Sequence, residues 1–208
     1  GAEMMPFHNI FNEWYAAQTS KKIRAVWQMK ASSGKRVGSS VPYGYMKSPE
    51  DKEKWIIDEE AAEVVRKRFS LSLSGRGISQ IARQLEQEKI LIPTAYKIEK
   101  GLSASHKYPE NPYYWDSSSV AGIIDNRQYT GCTVNFKTTT VSYKVHRVIH
   151  KSEDEQQIIP NTQKPIIDED LWLRVQELRQ HKRRPTSTGR TSLFSGLVYC
   201  PDCGAKLH

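Results

Sequence analysis

The stretch "WDSSSVAGIIDN" at residues 115–126 predicts a short helix that begins at a well-defined cap. Asp116 is a good N-cap residue, and three serines fill the first turn. The inward-facing residues recur at helical spacing: Val120, Ile123 and Ile124. Asn126 is suited to end the helix. A serine-rich start is most simply a solvated turn, but free N–H groups and small hydroxyls also suit contact with a phosphate or a base edge.

The residues after this helix predict β-structure. The segments "YTGCTVNF" (129–136) and "TTVSYKVHRVI" (139–149) alternate apolar and polar positions. In the second segment Val141, Tyr143 and Val145 share one face, and Lys144 lies on the other. Cys132 falls within the first strand, where we expect it to be a small buried hydrophobe. A helix followed by a basic two-stranded ribbon is the order of a winged helix-turn-helix.

Two further helices precede the serine-rich stretch. One begins near Asp58, a good N-cap, and continues with Ala61, Val64, Val65 and Phe69 on one face. After the glycine turn at 74–77, a shorter helix covers "ISQIARQLEQEKI" (78–90). The pair could form a bundle corner or the start of a helix-turn-helix. Residues 93–114, rich in proline, glycine and polar residues, predict a loop.

Both flanks of this central part also predict helices. Residues 6–33 form one long helix with an aromatic first half that includes Phe7, Ile10, Phe11 and Trp14. The flexible linker "GKRVGSSVPYGY" (34–45) follows it. A last helix in residues 165–184 is capped at Asp168.

The positive charge is concentrated in three runs without acidic residues. The net charge is +8, yet residues 41–128 hold 13 Lys/Arg and 13 Asp/Glu. The excess lies in residues 19–36, 135–151 and 179–190. One basic run is usually a solvated face, but three around a neutral middle favour a polyanionic partner.

The sequence shows no catalytic constellation of its own. It has no glycine-rich phosphate loop, no nucleophile elbow and no histidine pair four residues apart, and its six histidines are scattered. No apolar run reaches the roughly 20 residues that cross a bilayer. The pattern therefore favours a binding protein without a membrane partner.

Cys200 and Cys203 have the spacing of a zinc knuckle. Four ligands complete such a site, and the remaining cysteine, Cys132, is distant in sequence. We interpret the pair as the first half of a zinc ribbon that the end of the chain interrupts. The less favoured alternative is that His208 supplies a makeshift third ligand. Zinc is expected in the full-length protein and absent or incomplete here. Few cysteines also indicate a reducing compartment.

Six stretches in order resemble the recombinase domain and zinc ribbon of the large serine recombinases, which include phage integrases and conjugative-transposon recombinases. They are "VPYGY" (41–45), "IIDEEAAEVVRKRFSL" (56–71), "GRGISQIARQL" (75–85), "SSSVAGIIDNRQYTG" (117–131), "KPIIDEDLW" (164–172) and "LFSGLVYCPDCG" (193–204). The resemblance implies a cytoplasmic enzyme from bacteria, phages or mobile elements. Its N-terminal catalytic domain, expected upstream of Gly1, would carry the serine that attacks DNA, and this chain alone would be inactive.

The resemblance also implies roles for particular residues. The long helix should link domains, self-associate through its aromatic half as a dimer (a tetramer in the full-length synaptic complex), and lie on double-stranded DNA with its basic end. Lys35 and Arg36 should open a linker along the minor groove. The helix at 116–125 should enter the major groove, with a backbone clamp near 137–147. The candidate DNA-binding residues are Lys21, Lys22, Arg24, Lys30, Lys35, Arg36, Ser117, Ser118, Arg127, Lys137, Lys144, Arg147, Arg183 and Arg184.

The expected fold class is α+β: a mainly helical, winged helix-turn-helix-like domain with a β-hairpin, a long helix before it and a truncated zinc ribbon after it. The expected boundaries are 1–38 for the helix and linker, 39–185 for the recombinase domain, and 186–208 for the second linker and half ribbon. Two alternatives remain at this point. One is a winged-helix transcriptional regulator with a zinc knuckle, and the other is an RNA-binding zinc-ribbon protein.

Overall fold

A 28-residue helix, α1 (Met5–Ser32), opens the computed structural model. The structure describes residues 5–38, 40–102, 107–180 and 198–204. The elements after α1 are, in chain order, β1 (Tyr45–Lys47), β2 (Trp55–Ile57), α2 (Glu59–Leu73), α3 (Ile78–Gln87), α4 (Pro93–Glu99), α5 (Ser117–Ile124), β3 (Thr133–Asn135), β4 (Thr138–Thr140), β5 (Val148–His150), β6 (Gln157–Ile159) and α6 (Glu169–Gln180). None of the described helices is long and apolar enough to cross a membrane.

The fold is a mixture of helices and small antiparallel sheets. Across the described ranges the strands pair as β1 with β2, β3 with β6, and β4 with β5. The predicted pairing was therefore wrong in one respect: β3 pairs with β6, with Val134 opposite Ile158, and not with the strand that follows it. The second predicted strand folds back on itself as the β4–β5 hairpin, with Thr139 opposite Ile149.

The alternation at Val141, Tyr143 and Val145 does not mark a strand. These residues lie in the turn that joins β4 to β5, where the backbone of Ser142 donates to the carbonyl of Val145 (3.3 Å). Val141 and Val145 are exposed, so the alternating pattern has no buried face to specify. Period-two patterning predicts a strand only when one face packs against a core.

The predicted helical faces pack together as one core. Helix α2 buries Ala61, Val65 and Phe69, and α5 buries Val120 and Ile124. Helix α2 contacts both α3 and α6, and α3 contacts α5. Cys132 is buried as expected, at 5% exposed, and Trp115 is also buried, at 3% exposed. The indole nitrogen of Trp115 donates to the carbonyl of Ile90 (2.9 Å). This hydrogen bond holds the residues just before α5 against the segment that follows α3.

Two glycines occupy positions where a side chain does not fit. Gly44 has a φ of 97°, and a Cβ there would lie 3.0 Å from Cδ1 of Ile166. Gly131 has a φ of 88°, and its Cβ would come within 2.7 Å of the carbonyl oxygen of Gln163. Only glycine adopts this conformation without strain. Both therefore allow the β1 loop and the start of β3 to approach the segment 163–166 closely.

Arg68 on α2 is a fully buried cation. Its guanidinium carbon lies 3.9 Å from the ring centroid of Trp115 and 5.6 Å from that of Tyr43. None of its three nitrogens has a hydrogen-bond acceptor among the described residues. Burial lowers the pKa of Arg68 to about 10, while the nearby tyrosines raise it slightly. The side chain is thus still protonated at neutral pH, and aromatic faces supply the main attraction for its charge.

The region predicted as a loop at 93–114 contains a helix. Pro93 opens α4 at a position that suits proline, and Ala95 and Tyr96 are buried. Tyr96 is held because its hydroxyl donates to the Asp58 carboxylate at 2.9 and 2.8 Å. Asp58 stands at the N-cap of α2 as predicted, but its side chain makes no cap hydrogen bond. Its carboxylate instead ties α4 to α2.

Replacing Tyr96 with phenylalanine should test this contact. The change leaves the ring in place and removes the donor to a carboxylate that is only 8% exposed. We expect Tyr96→Phe to lower the free energy of unfolding by about 1–3 kcal/mol, because a buried acceptor loses its partner. Urea denaturation followed by circular dichroism measures the change.

Tyr108→Phe provides the matched control, because the Tyr108 hydroxyl donates to Glu99 at an exposed position. That variant should be close to wild type. Equal stability of Tyr96→Phe and wild type would show that the Asp58 contact does not hold α4.

Candidate nucleic-acid interface

The anchored end of α1 carries most of the helix's cations. Lys21, Lys22 and Arg24 are exposed, and Lys30 is half-buried where the helix meets the core. Its neighbour Ala31 is fully buried, and the Ala31 carbonyl accepts a hydrogen bond from Gln157 Nε2 (2.9 Å) on β6. Residues 7–16 are exposed on every side. The helix is therefore fixed at its basic end and projects from the core at its aromatic end.

The segment after α1 is held more firmly than the predicted flexible linker. Asn135 on β3 makes two hydrogen bonds with it: Asn135 Nδ2 donates to the Lys35 carbonyl (2.9 Å), and the Val37 amide donates to Asn135 Oδ1 (3.0 Å). Asn135 is itself buried. A single side chain thus pairs with the backbone on both sides of Arg36, as a neighbouring strand would.

Arg36 is held by several contacts within the protein. Its guanidinium carbon lies 3.3 Å from the ring centroid of Trp55. Its terminal nitrogens donate to the Glu53 carbonyl (3.1 Å), Thr133 Oγ1 (2.9 Å) and Gln163 Oε1 (2.7 Å). Burial lowers the pKa of Arg36. Its sequence-predicted contact with DNA stays a prediction, whereas its position in the fold joins the linker to β2 and β3.

The β4–β5 hairpin lies beside α1. Lys144 in its turn pairs with Glu13, and Arg24 donates to Thr140 Oγ1 (3.3 Å) on β4. The hydrogen bond between Lys144 and Glu13 lowers the pKa of Glu13 and raises the pKa of Lys144. Arg147 is exposed on the same hairpin. Two basic runs separated by more than a hundred residues therefore share one surface, which we call the basic face: residues 21–36 of the helix and linker together with the hairpin.

Arg127 and Lys137 meet at a different place. They line a cavity of about 190 Å³ together with Asp125, Lys151 and Trp172. Arg127 pairs with Glu169 (2.7 Å), and Lys137 donates to Asn126 Oδ1 (2.7 Å). Burial lowers the pKa of Lys137. Both cations have partners within the fold.

Asn126 does not end α5 as predicted. The C-cap of that helix is Asp125, and Asn126 instead caps the 3₁₀ turn Arg127–Thr130 by accepting from the Gln128 amide.

The N-terminus of α5 is built as the sequence predicts. The Asp116 carboxylate accepts from the Ser118 amide (3.0 Å) and from the Ser118 hydroxyl. Ser117 is half-buried, and its hydroxyl lies 3.2 Å from the hydroxyl of Ser79 on α3. Ser118 and Ser119 are exposed. The first turn of α5 is thus packed on α3 by one serine and open to solvent at the next two.

Sequence reasoning missed a group of lysines on the β1–β2 hairpin. Lys47, Lys52 and Lys54 line a groove of about 420 Å³ that also includes Lys30, Lys35 and Arg36. Their segment, "KSPEDKEK" (47–54), contains as many acidic as basic residues. The net charge of this segment is therefore zero, and the sequence alone does not indicate a basic surface at residues 47–54. Only the tertiary structure brings these lysines next to the basic end of α1.

Cys200 and Cys203 lie in one turn, in which the Gly204 amide donates to the Cys200 carbonyl (2.9 Å). Hydrogen bonds from the backbone of Cys203 and Asp202 lower the pKa of the Cys200 thiol. Thiolates are the form that binds zinc, so the pair suits two zinc ligands. No cluster of three potential ligands occurs within the part of the chain that the structure describes. Arg183, Arg184 and His208 lie outside the described residues.

Comparisons with known proteins identify similar sequences. A family model described as "Recombinase" matches residues 59–182. The uncharacterized protein YefB of Bacillus subtilis (strain 168) is 29% identical over 94 residues, which cover 45% of this chain and 31% of YefB.

Comparison with solved structures gives matches, among them the following two. A crystal structure of an LSR–DNA complex is similar with a TM-score of 0.51 at 17% identity, over 88% of this chain and 46% of that one. A structure described as "Sequence Requirements of the Listeria innocua prophage attP site" gives a TM-score of 0.46 at 17% identity, over 88% and 62%. The chain thus spans about a third of YefB and under half of the protein in the LSR–DNA complex.

Removing the Asn135 side chain should loosen the linker without unfolding the core. Asn135→Ala loses both hydrogen bonds to residues 35 and 37, and the freed backbone groups then exchange with water. We expect hydrogen exchange of the Val37 amide to accelerate by about tenfold, while the amides of α2 exchange as in wild type. Exchange measured by mass spectrometry or NMR checks this.

Asn12→Ala is a suitable control because Asn12 is exposed in the projecting part of α1. If both variants leave the Val37 amide equally protected, Asn135 does not hold the linker.

Proposed function

Because the chain belongs to the recombinase family, as its six motifs led us to expect, we propose that it is the DNA-binding portion of a large serine recombinase. The observation that carries this proposal is the basic face, where α1 and the β4–β5 hairpin lie side by side through the Arg24–Thr140 and Glu13–Lys144 contacts. Such a surface suits the phosphate backbone of duplex DNA. Family membership disfavours the stand-alone regulator and the RNA-binding alternatives.

In this proposal the chain positions DNA, and the full-length protein cuts it. Cleavage would proceed by attack of a serine oxygen on a DNA phosphorus, with departure of the 3′-oxygen and formation of a phosphoserine bond. That serine would belong to a catalytic domain that precedes α1. The residues of this chain would contribute orientation: α1 links the two parts, and its anchored end fixes the direction in which the catalytic domain lies.

The proposed DNA-contacting elements follow a winged helix-turn-helix arrangement. Helices α3 and α5 pack together, α5 is the proposed reader in the major groove, and the β4–β5 hairpin is the proposed wing. Support comes from the exposed Ser118 and Ser119 at the start of α5 and from the exposed cations of the hairpin. We also propose that residues 1–38, 39–185 and 186–208 act as linking segment, DNA-binding domain and partial zinc ribbon. Zinc would be held by Cys200 and Cys203 with further ligands, which metal analysis of the full-length protein tests.

The chain should bind duplex DNA without forming a covalent bond to it. We expect fluorescence anisotropy with a labelled 30-base-pair duplex to show binding that weakens steeply with salt, with a log–log slope of about −0.9 per phosphate contacted. Ser117→Asp/Ser118→Asp should weaken binding by roughly tenfold, because it places negative charge near phosphates.

Ser70→Asp/Thr94→Asp is the control, since it adds the same charge at exposed positions on α2 and α4. Thermal melting confirms that both variants are folded. Equal affinity of the two double variants would show that α5 does not face DNA, and covalent adducts with the wild-type chain would contradict the assignment of cleavage to another domain.

The projecting half of α1 is proposed to bind a second copy of this helix. Phe11 and Trp14 are 68% and 58% exposed, and exposed apolar surface costs about 25 cal/mol per Å². Sedimentation velocity should therefore detect self-association, and Phe11→Ala/Trp14→Ala should abolish it. Val148→Ala/Ile149→Ala, on the exposed hairpin, should not. A wild-type chain that is monomeric at 100 times the concentration used for DNA binding would rule this role out.

A further inference from the structure

The groove between the end of α1 and the β1–β2 hairpin is lined by more cations than anions. Its charged residues are Lys30, Lys35, Arg36, Lys47, Lys52 and Lys54, against Asp51 and Glu53. Lys47, Lys52 and Lys54 are all exposed, so their ammonium groups can approach a ligand without loss of packing. Two hydroxyl-bearing residues, Thr133 and Thr162, also line the groove and hydrogen bond to each other at its base (2.8 Å).

The base of the groove is rigid. Trp55 is 6% exposed and lies under the Arg36 guanidinium, which hydrogen bonds to Thr133 and Gln163. The linker backbone on either side is fixed by Asn135. A bound anion would therefore meet preorganised positive charge from Arg36 and mobile charge from the lysines, which is a favourable combination for phosphate.

Glu53 forms ion pairs with two of the lysines that line the groove. Its carboxylate lies 3.9 Å from Lys30 Nζ and 3.8 Å from Lys35 Nζ, and its side chain is 64% exposed. Its backbone is held in place: the Glu53 amide donates to Asp51 Oδ1, and its carbonyl accepts from Arg36. Ion pairs at these distances on an exposed surface are weak. The carboxylate can therefore leave both lysines by rotation of its side chain alone.

We propose that this groove binds a backbone phosphate of duplex DNA, and that Glu53 occupies the phosphate's position until DNA arrives. The proposal rests on the function proposed above, because the groove continues directly from the basic face at Lys30 and Lys35. Both lysines exchange the Glu53 carboxylate for a phosphate oxygen, and Lys52 and Lys54 close over the DNA strand. The β1–β2 hairpin becomes a further DNA-contacting element beside the basic face and α5.

A set of charge variants separates this groove from the rest of the surface. Lys52→Gln/Lys54→Gln should weaken duplex binding by roughly tenfold and make the salt slope shallower by about 1 to 2. Glu53→Gln should strengthen binding by about threefold, because the lysines lose their internal competitor. Lys107→Gln/Arg174→Gln removes two cations at exposed positions outside the groove and should change affinity by less than about twofold.

A footprint on the wild-type chain gives a readout that is independent of any effect on folding. Lysines are acetylated briefly with and without a mixed-sequence duplex, and modification is quantified by mass spectrometry. Lys47, Lys52 and Lys54 should be protected several-fold by DNA, whereas Lys107 should react equally in both samples.

The outcomes distinguish the two proposals. If the wild-type chain binds duplex but Lys47, Lys52 and Lys54 remain fully reactive, the groove proposal is overturned and the proposed function stands. If a folded Glu53→Gln variant binds duplex DNA more weakly than wild type or equally well, the proposal that Glu53 occupies the phosphate position in the free protein is overturned. A wild-type chain that binds no duplex overturns both.

Discussion

Tyr129 connects segments of this fold that are distant from one another in sequence. Its hydroxyl donates to the Tyr43 carbonyl (2.8 Å), and its own carbonyl accepts from the amides of Ile166 and Ile167 (2.9 and 3.1 Å). Its ring stacks on Tyr45 with centroids 6.1 Å apart and meets Phe69 edge-on. Burial raises the pKa of Tyr129, so the hydroxyl remains a neutral donor at physiological pH. Tyr129 thus positions helix α2, the residues that precede β1 and the residues that precede α6.

The position of Tyr129 also affects the proposed DNA-binding surface, through the residues that follow Tyr129 in the chain. Gly131 turns the chain beside Gln163, and β3 then presents Thr133 and Asn135 to the linker. Thr133 accepts a hydrogen bond from Arg36, and Asn135 pairs with the linker backbone. On the paired strand β6, Gln157 donates to the Ala31 carbonyl at the end of α1. The direction of the long helix is thus set by a sheet of two three-residue strands. All three residues of β3 are buried, and this burial stabilises a sheet that would be too small to be stable alone.

Internal partners are a common feature of the cations in this protein. Lys30 and Lys35 face Glu53, Lys144 faces Glu13, and Arg127 faces Glu169. Most of these pairs are exposed, and exposed ion pairs contribute little to stability. In the proposed DNA complex, exchange of such a carboxylate for a DNA phosphate would therefore cost little. In the free protein, whose net charge is +8, the pairs limit self-repulsion. Arg36 and Arg68 differ, because their charges lie against buried aromatic rings.

The sequence by itself determined every described helix except α4, and the buried faces of α2 and α5. Ala61, Val65, Phe69, Val120 and Ile124 are spaced at the helical period, which depends only on local geometry. It also determined the family, through six motifs in order, and the cap at Asp116. Tertiary structure alone decided the pairing of β3 with β6, the diversion of Asp58 from its cap to Tyr96, the anchoring of the linker by Asn135, and the meeting of Lys52 and Lys54 with the end of α1. Each of these joins residues distant in the chain, and local periodicity carries no information about which distant partner is favoured once the core has formed.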